Sequence, residues 1–436
     1  MTDVFASLRA EISSVVFAAS IGRISEISRG TINVSGLERV ARQGDRVRLG
    51  TLGGEVLQIS AAGLVVLTDG LSDGLAIGDA VELGGAAEIA PDNSWIGRIV
   101  DPYGRPLDGR PLFRGPVSRP LTREAPPANQ RKRLGARLST GVAVFDTLLP
   151  LARGQRIGLF AGSGVGKSSL LAKFARGVAA DVVVIALIGE RGRELREFTE
   201  RVLGPLGMAR SVVVTATSDQ SALTRRRCAT AAMAVAEHFR DQGLHVLFLV
   251  DSITRFAEAH REVALAAGES AALRGFPPSL SQAIMGLAER AGPGPEGAGD
   301  ITAIFSVLVA GSDMEEPVAD ILRGVLDGHV VMDRKIAERG RFPAIDLLRS
   351  VSRSLPEVAS PDENGLISET RRLLGAWDRA EMMILAGLYS KGSDPVIDQA
   401  MRLWPALDAF LAEDAPADGV SGSFKRLAAI LGAEGI

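Results

Sequence analysis

The N-terminal part of the chain alternates short runs of β-branched and aliphatic residues with glycine and aspartate turns. The runs lie at residues 31–34, 45–49, 54–59, 63–67 and 79–83. An alternation with a period of two predicts half-buried strands, and regularly spaced short strands are typical of a small closed barrel. We therefore predict a β-barrel domain over residues 22–92.

The first twenty residues follow a different period. Apolar side chains recur at Val4, Leu8, Ile12 and Val15, which places them on one face of a helix. We predict a short amphipathic helix within residues 1–21. Two interpretations stay open: its apolar face packs on the rest of the chain, or it docks a partner.

Buried-strand patterns alternate with helical ones in the centre of the chain. The predicted strands are residues 157–160, 182–188, 211–215, 246–250 and 303–309, and the helices between them include 168–178, 191–203 and 221–242. This alternation predicts an α/β domain over residues 93–350, with a mainly parallel sheet and helices on both faces. The Pro- and Arg-rich segment 114–137 has no apolar period, so we expect it to cross the surface between modules.

The C-terminal pattern is helical throughout. Helices are predicted at residues 369–377, 381–388 and 397–411, which makes residues 351–436 a small helical domain. The predicted fold class is therefore multidomain α/β: a small N-terminal β-barrel, a central α/β domain and a C-terminal helical domain.

A glycine-rich loop stands between the first central strand and the helix that begins near Lys167. Its glycines allow backbone N–H groups to turn inward around phosphate oxygens, and the helix directs its positive dipole end at the same anion. The first position of the pattern is Ala161 instead of glycine, which we expect to be tolerated because that position needs a small residue more than a positive φ. The residues predicted to bind the nucleotide here are Gly162, Ser163, Gly164, Val165, Gly166, Lys167, Ser168 and Ser169.

Candidate chemistry follows from this loop and from two neighbouring strand ends. Lys167 is predicted to reach the β- and γ-phosphates, and the Ser168 hydroxyl to ligate Mg²⁺. Asp251 ends an apolar run and should emerge at the same carboxyl edge of the sheet, where it can hold Mg²⁺ through water, unless it only caps the next helix.

Glu190 follows a second buried run and should lie at that edge too. A carboxylate there can orient and deprotonate the attacking water. Arg191 is expected to pair with a phosphate or with Glu190. The alternative for both residues is an ordinary charged start of a helix.

Composition, charge and cysteine count argue against some classes of function. Hydrophobic residues make up 46% of the 436, the net charge is −3, and Cys228 is the single cysteine, so the chain can form no internal disulfide or thiolate metal site. The acidic balance argues weakly against a primary role on nucleic acid. With no apparent signal peptide and no apolar run long enough to span a bilayer, we expect a cytoplasmic protein, or one peripheral to the inner face of the cytoplasmic membrane.

Several motifs together resemble the rotary-type ATPases, and most closely the flagellar protein-export ATPases and their virulence type III secretion relatives. The resemblance covers residues 22–411. The segments that carry it are 160–169, 189–194 and 249–257, with further agreement at 97–101, 104–109, 138–142, 334–340 and 392–395. Residues 279–291 and 358–366 depart from the pattern of that family.

This resemblance implies a RecA-like central domain, ATP and Mg²⁺ as ligands, and roles for individual residues. Glu190 matches the catalytic glutamate, Phe342 matches the aromatic residue that stacks on adenine, and Arg353 matches the arginine finger that reaches a neighbour's ATP. Phe342 could instead be a plain core residue, and Arg353 a surface arginine.

The implied partners are a homohexamer ring, a stalk-like regulator, the membrane-embedded export gate, and export substrates with their chaperones. A virulence secretion ATPase and a rotary ATP synthase catalytic subunit are the alternatives with the same nucleotide site. A nucleic-acid translocase is disfavoured because residues 22–89 contain no Phe, Tyr or Trp for base stacking. A non-enzymatic ring subunit is disfavoured by Lys167, Glu190, Asp251 and Arg353 occurring together.

Overall fold

A computed structural model describes residues 5–13, 15, 18–28, 30–162, 164–309 and 314–433 of the chain. Helix α1 (Ala6–Ser13) comes first. Of the apolar positions predicted to form its face, Leu8, Ile12 and Val15 are each more than half exposed, and Val4 lies outside the described residues. These three side chains therefore do not pack into the body of the chain.

The predicted N-terminal barrel is confirmed. Its six strands are closed in the order β1-β2-β5-β4-β3-β6 with antiparallel pairing. They are β1 (Ile21–Ile27), β2 (Thr31–Ser35), β3 (Arg46–Leu49), β4 (Leu52–Ser60), β5 (Gly63–Thr68) and β6 (Ala80–Gly85). Alternate side chains such as Ile24, Val34 and Val66 point inward and are at most 1% exposed, as the period of two requires. Strand β1 was not among the predicted runs, because polar residues occupy most of its outward positions.

The short strands β7 (Glu88–Ile89) and β8 (Arg98–Val100) precede the segment 114–137. That segment is mostly irregular, as predicted, and contains the short strand β9 (Arg119–Pro120). Its arginines hold it to the central domain: Arg119 and Arg123 both donate to Asp241, at 2.5 and 2.8 Å.

The central sheet has the strand order β17-β16-β10-β15-β13-β11-β12-β8, with β14 paired to β15. All five predicted strands are present, and the sheet is parallel except at β14 and β17. Its strands beyond β8 are β10 (Arg156–Ala161), β11 (Val182–Glu190), β12 (Ser211–Thr217), β13 (Val246–Asp251), β14 (Gly292–Pro293), β15 (Asp300–Leu308), β16 (Gly328–Met332) and β17 (Ile345–Ser352). The sequence pattern missed β8, β16 and β17, which are short or only partly buried.

Helices cover both faces of this sheet. They are α2 (Ala143–Asp146), α3 (Lys167–Gly177), α4 (Gly192–Glu197), α5 (Gly204–Met208), α6 (Ala222–Arg240), α7 (Ile253–Ala266), α8 (Ser279–Arg290), α9 (Pro317–Val325) and α10 (Arg334–Glu338). The predicted helix at 191–203 is α4 followed by a π-helical turn at Phe198–Leu203. The atypical segment 279–291 forms α8, whose Leu280, Ile284 and Leu287 are buried.

The C-terminal region is helical, with α11 (Pro361–Leu385), α12 (Pro395–Phe410) and α13 (Gly419–Leu431). One prediction here is wrong: the two helices at 369–377 and 381–388 are a single helix, α11. A capping box between Ser360 and Glu363 starts that helix, and no glycine or proline separates the two predicted pieces, so the backbone hydrogen bonds continue through them. The exact domain boundaries stay predictions.

The barrel contacts the central domain through polar groups. The Tyr103 ring has three guanidinium carbons, those of Arg227, Arg46 and Arg105, within 4.7, 5.2 and 5.5 Å of its centroid. Arg226 on α6 forms an ion pair with Glu55 on β4. The carboxyl edge of the central sheet stays open for a ligand.

Candidate nucleotide-binding and catalytic site

The glycine-rich loop connects β10 to α3, as the pattern requires. Gly164 and Gly166 have φ values of 78° and 88°, a region that favours glycine because it lacks Cβ. Ala161 is the last residue of β10 and fully buried, so a small side chain is enough at that position. Val165 is 1% exposed and anchors the loop in the core, whereas Ser163 lies outside the described residues.

A cleft of about 1150 Å³ opens at the carboxyl edge of the sheet around this loop. The predicted site residues that line it are Gly162, Gly164, Gly166, Lys167, Ser168, Ser169, Glu190 and Arg191. Its volume slightly exceeds the usual range for ligand pockets, about 300–1,000 Å³. The fold therefore brings together residues that lie far apart in the sequence.

Asp251 lies beside the loop and is 3% exposed. Its Oδ1 accepts a bond from Lys167 Nζ at 2.5 Å and another from Ser306 Oγ at 2.8 Å. The alternative that Asp251 only caps a helix does not fit, because Ser252 is the N-cap of α7. Ser306 was not predicted; a hydroxyl within the apolar run of β15 was the available signal.

Glu190 is the last residue of β11 and lines the cleft. Burial raises its pKa from 4.5 to about 7, and a hydrogen bond with the Glu194 carboxyl and the charge of Asp251 act in the same direction, against the opposing charge of Lys167. A carboxyl group with a pKa near neutral pH can both accept and release a proton.

Arg191 is not paired with Glu190. Its side chain is 81% exposed and lies 3.8 Å from Glu194, which is a weak surface ion pair. Arg255 was not among the predicted site residues, although it belongs to the segment that contains Asp251. It lines the same cleft, contacts Glu258 at 2.8 Å, and packs so closely on Gly189 that a Cβ there would lie 3.3 Å from its own Cβ.

Phe342 lies over the phosphate loop. A Cβ placed on Gly166 would come within 3.1 Å of the Phe342 ring, and the side chain is 49% exposed. Phe342 is therefore not a core residue, and its ring is available to a planar ligand at the mouth of the loop.

Arg353 does not lie in this cleft. It follows β17, whose last residue, Ser352, pairs with Gly328 at the amino end of β16. The phosphate loop begins after Ala161, which pairs with Met332 at the carboxyl end of β16. The backbone of Arg353 therefore lies about four strand residues, roughly 13 Å, from the start of the loop along the strand direction. Its guanidinium donates to the carbonyls of Leu326 and Arg323 at 3.2 and 3.3 Å, at the end of α9.

Oxygen ligands suited to Mg²⁺ are present where the sequence predicted them. Ser168 is the second residue of α3 and Asp251 is the last residue of β13, and their hydroxyl and carboxylate oxygens are the hard donors that Mg²⁺ prefers. Among the described residues, no group of three or more His, Cys, Asp or Glu side chains could hold a metal. No helix within the described ranges is long and apolar enough to cross a membrane.

Comparisons with known proteins agree with this geometry. The family model described as ATP synthase alpha/beta family, nucleotide-binding domain, matches residues 141–352, and that of the T3SS EscN ATPase C-terminal domain matches residues 359–417. The "Flagellum-specific ATP synthase" of Caulobacter vibrioides is 44% identical over 98% of this chain and 99% of its own. The "Type 3 secretion system ATPase" of Pseudomonas syringae pv. tomato is 46% identical over 79% of this chain and 78% of its own.

Solved structures show the same fold. The assembled ATPase EscN from the enteropathogenic E. coli type III secretion system has a TM-score of 0.86 and 36% identity, over 93% of this chain and 100% of that one. EscN in complex with its central stalk EscO gives a TM-score of 0.86 at 35% identity, over 94% and 100%. The chain belongs to the family of flagellum-specific ATP synthases and type 3 secretion system ATPases.

Proposed function

We propose that this ATPase hydrolyses Mg-ATP to energise the export of flagellar proteins through a type III export apparatus. The single observation that carries the enzymatic part is the convergence at the phosphate loop of Lys167 and Glu190, which line one cleft, with Asp251, which bonds to Lys167. The flagellar assignment rests on relatives such as that of Caulobacter vibrioides, which is similar over nearly the full length.

Each residue of the cleft has its own role in the proposed reaction. Mg²⁺, held by Ser168 and through water by Asp251, would neutralise charge on the β- and γ-phosphates. Lys167 leaves Asp251 and stabilises the phosphoryl charge. Glu190 orients the attacking water and accepts its proton, for which a pKa of about 7 is well matched to neutral pH.

Two further side chains complete the nucleotide contacts. Phe342 stacks on adenine, because its half-exposed ring lies over the loop that holds the phosphates. Arg191 is free to turn from Glu194 towards a phosphate, since a 3.8 Å surface pair costs little to break.

Arg353 acts in a neighbouring subunit. Its position at the amino edge of the sheet keeps it from its own cleft, so it can serve as an arginine finger only across an interface, in a ring such as a homohexamer. The solved relative EscN is described as assembled, which supports this arrangement.

The proposed partners follow from the same family. EscN was solved with its central stalk EscO, so we propose a stalk-like regulator here as well. The exposed apolar face of α1 is available for docking such a regulator. The export gate, export substrates and their chaperones complete the set, with the ATPase at the inner face of the cytoplasmic membrane and no nucleic-acid partner. Virulence-type secretion is the second candidate, because a secretion ATPase is 46% identical over 79% of this chain.

Mixing of two inactive variants tests the ring mechanism. Lys167→Ala disables a subunit's own site, and Arg353→Ala disables the site of its neighbour. Each alone should lose nearly all hydrolysis, because an arginine finger is worth about 10³–10⁵ in rate. A mixture of the two should regain part of it, since some interfaces then combine an intact cleft with an intact finger.

Two results would contradict this proposal. Absence of rescue at every mixing ratio would mean that Arg353 does not act in trans. Nucleotide binding that survives Lys167→Ala together with full turnover would contradict the role of the phosphate loop. In the host, deletion of the gene should abolish flagella; loss of effector secretion with normal flagella would favour the virulence alternative.

A further inference from the structure

Ser306 is a buried hydroxyl in an otherwise apolar strand. Its neighbours on β15, Phe305 and Val307, are fully buried, and Ser306 itself is 0% exposed. It lies beside Asp251, because Val250 pairs with Phe305 in the parallel register of β13 and β15. Its hydroxyl donates to Asp251 Oδ1 at 2.8 Å. A buried hydroxyl in a core strand requires such a partner.

The same Asp251 oxygen also accepts the bond from Lys167 at 2.5 Å. Lys167 is needed at the phosphates during the proposed reaction, so this ion pair must open when nucleotide binds. The bond from Ser306 does not compete with any phosphate, since Ser306 lies within the sheet below the loop. It is therefore the contact that can persist on Oδ1 after Lys167 has left.

We propose that Ser306 is a positioning residue for the metal site. By occupying Oδ1 of Asp251, it fixes the rotation of the carboxylate, whose terminal torsion is otherwise soft, and keeps Oδ2 directed at the water shell of Mg²⁺. A neutral hydroxyl does this without cancelling the negative charge that attracts the cation. This inference rests on the proposed function of the cleft as an Mg-ATP site.

A matched control lies on the same strand. Thr302 is also 0% exposed, and its hydroxyl accepts from the Gly154 amide at 2.8 Å and lies 2.8 Å from His245 Nε2. It is near the amino end of β15, away from Asp251. Thr302→Ala therefore removes a buried hydroxyl bond from the strand and leaves the metal site untouched.

The experiment measures binding of a fluorescent ADP analogue, first in EDTA and then across a Mg²⁺ titration. Ser306→Ala should leave the affinity for the analogue in EDTA within about twofold of wild type. It should raise the midpoint of the Mg²⁺ titration by about tenfold, the lower end of the roughly 10–100-fold loss seen when a supporting contact to a metal ligand is removed. Ser306→Thr keeps the hydroxyl and should stay near the wild-type midpoint. Thr302→Ala should lower the melting temperature without moving the Mg²⁺ midpoint.

The proposal is overturned if Ser306→Ala keeps the wild-type Mg²⁺ midpoint, or if Thr302→Ala shifts that midpoint as much. An equal loss of affinity in EDTA and in Mg²⁺ would also overturn it, because the hydroxyl would then only support the loop. Failure of the proposed function looks different: wild-type binding would then be indifferent to Mg²⁺, and so would that of Asp251→Asn.

Discussion

Replacement of Glu190 by glutamine should stabilise the nucleotide-free protein while it removes hydrolysis. Burial raises the pKa of this carboxyl from 4.5 to about 7, so the folded protein holds a charge it disfavours whenever Glu190 is ionised. Because an acid with a raised pKa binds protons more tightly when folded, its penalty develops as the pH rises from 4.5 to 7 and is constant above that. Glutamine carries no charge and avoids the penalty.

The size of this effect follows from the shift. A difference from 4.5 to about 7 corresponds to an upper limit of about 3 kcal/mol. Glu190 is only partly buried and its charge is partly screened, so we expect about 1–2 kcal/mol at pH 8.5. For a domain the size of the central one, a gain of that stability raises the melting temperature by roughly 2–8 °C. At pH 5.5 the stability difference between Glu190→Gln and wild type should fall to about 0.4 of its value at pH 8.5.

Thermal unfolding of wild type and Glu190→Gln at pH 5.5 and pH 8.5, without nucleotide, measures this difference. Glu197→Gln is the matched control, because Glu197 is exposed on α4 and should change the melting temperature little at either pH. A Glu190→Gln protein that is no more stable than wild type at pH 8.5, or whose advantage is larger at pH 5.5, would refute the assigned cause. Full turnover by this variant would refute its role as the base.

Two further predictions concern binding and the core. Phe342→Ala should raise the KM for ATP by roughly 5–150-fold, because base stacking is worth about 1–3 kcal/mol. Phe342→Tyr should restore the KM in steady-state assays, and equal KM values for all three proteins would exclude stacking. Glu237→Ala should destabilise the chain by about 3–5 kcal/mol, since it leaves the guanidinium of Arg290 buried at 4% exposure without its two carboxylate bonds at 2.8 and 3.0 Å. Denaturant unfolding measures that loss, and a change under 1 kcal/mol would contradict it.

Local patterns were enough for the parts of the fold that obey a simple period. Barrel strands such as β2 alternate, and the buried strands β10–β13 and β15 are mostly apolar runs, so they could be predicted. Strand β17 could not, because its burial is irregular and it is held by pairing with β16. The break predicted within α11 was wrong because apolar spacing alone does not tell a pause in periodicity from a true helix end.

The sequence by itself determined that a nucleotide loop and two strand-end carboxylates are present, since spacing and residue type carry that information; the role of Arg353 as an arginine finger came only from the family resemblance and stays a prediction. Only the tertiary structure decided how they act on one another. It joined Ser306 to Asp251, paired Arg191 with Glu194, and placed Arg353 at the far edge of the sheet. These contacts depend on strand order and register, which bring Ser306 to Asp251 although the two residues are 55 positions apart. No local sequence pattern encodes strand order or register.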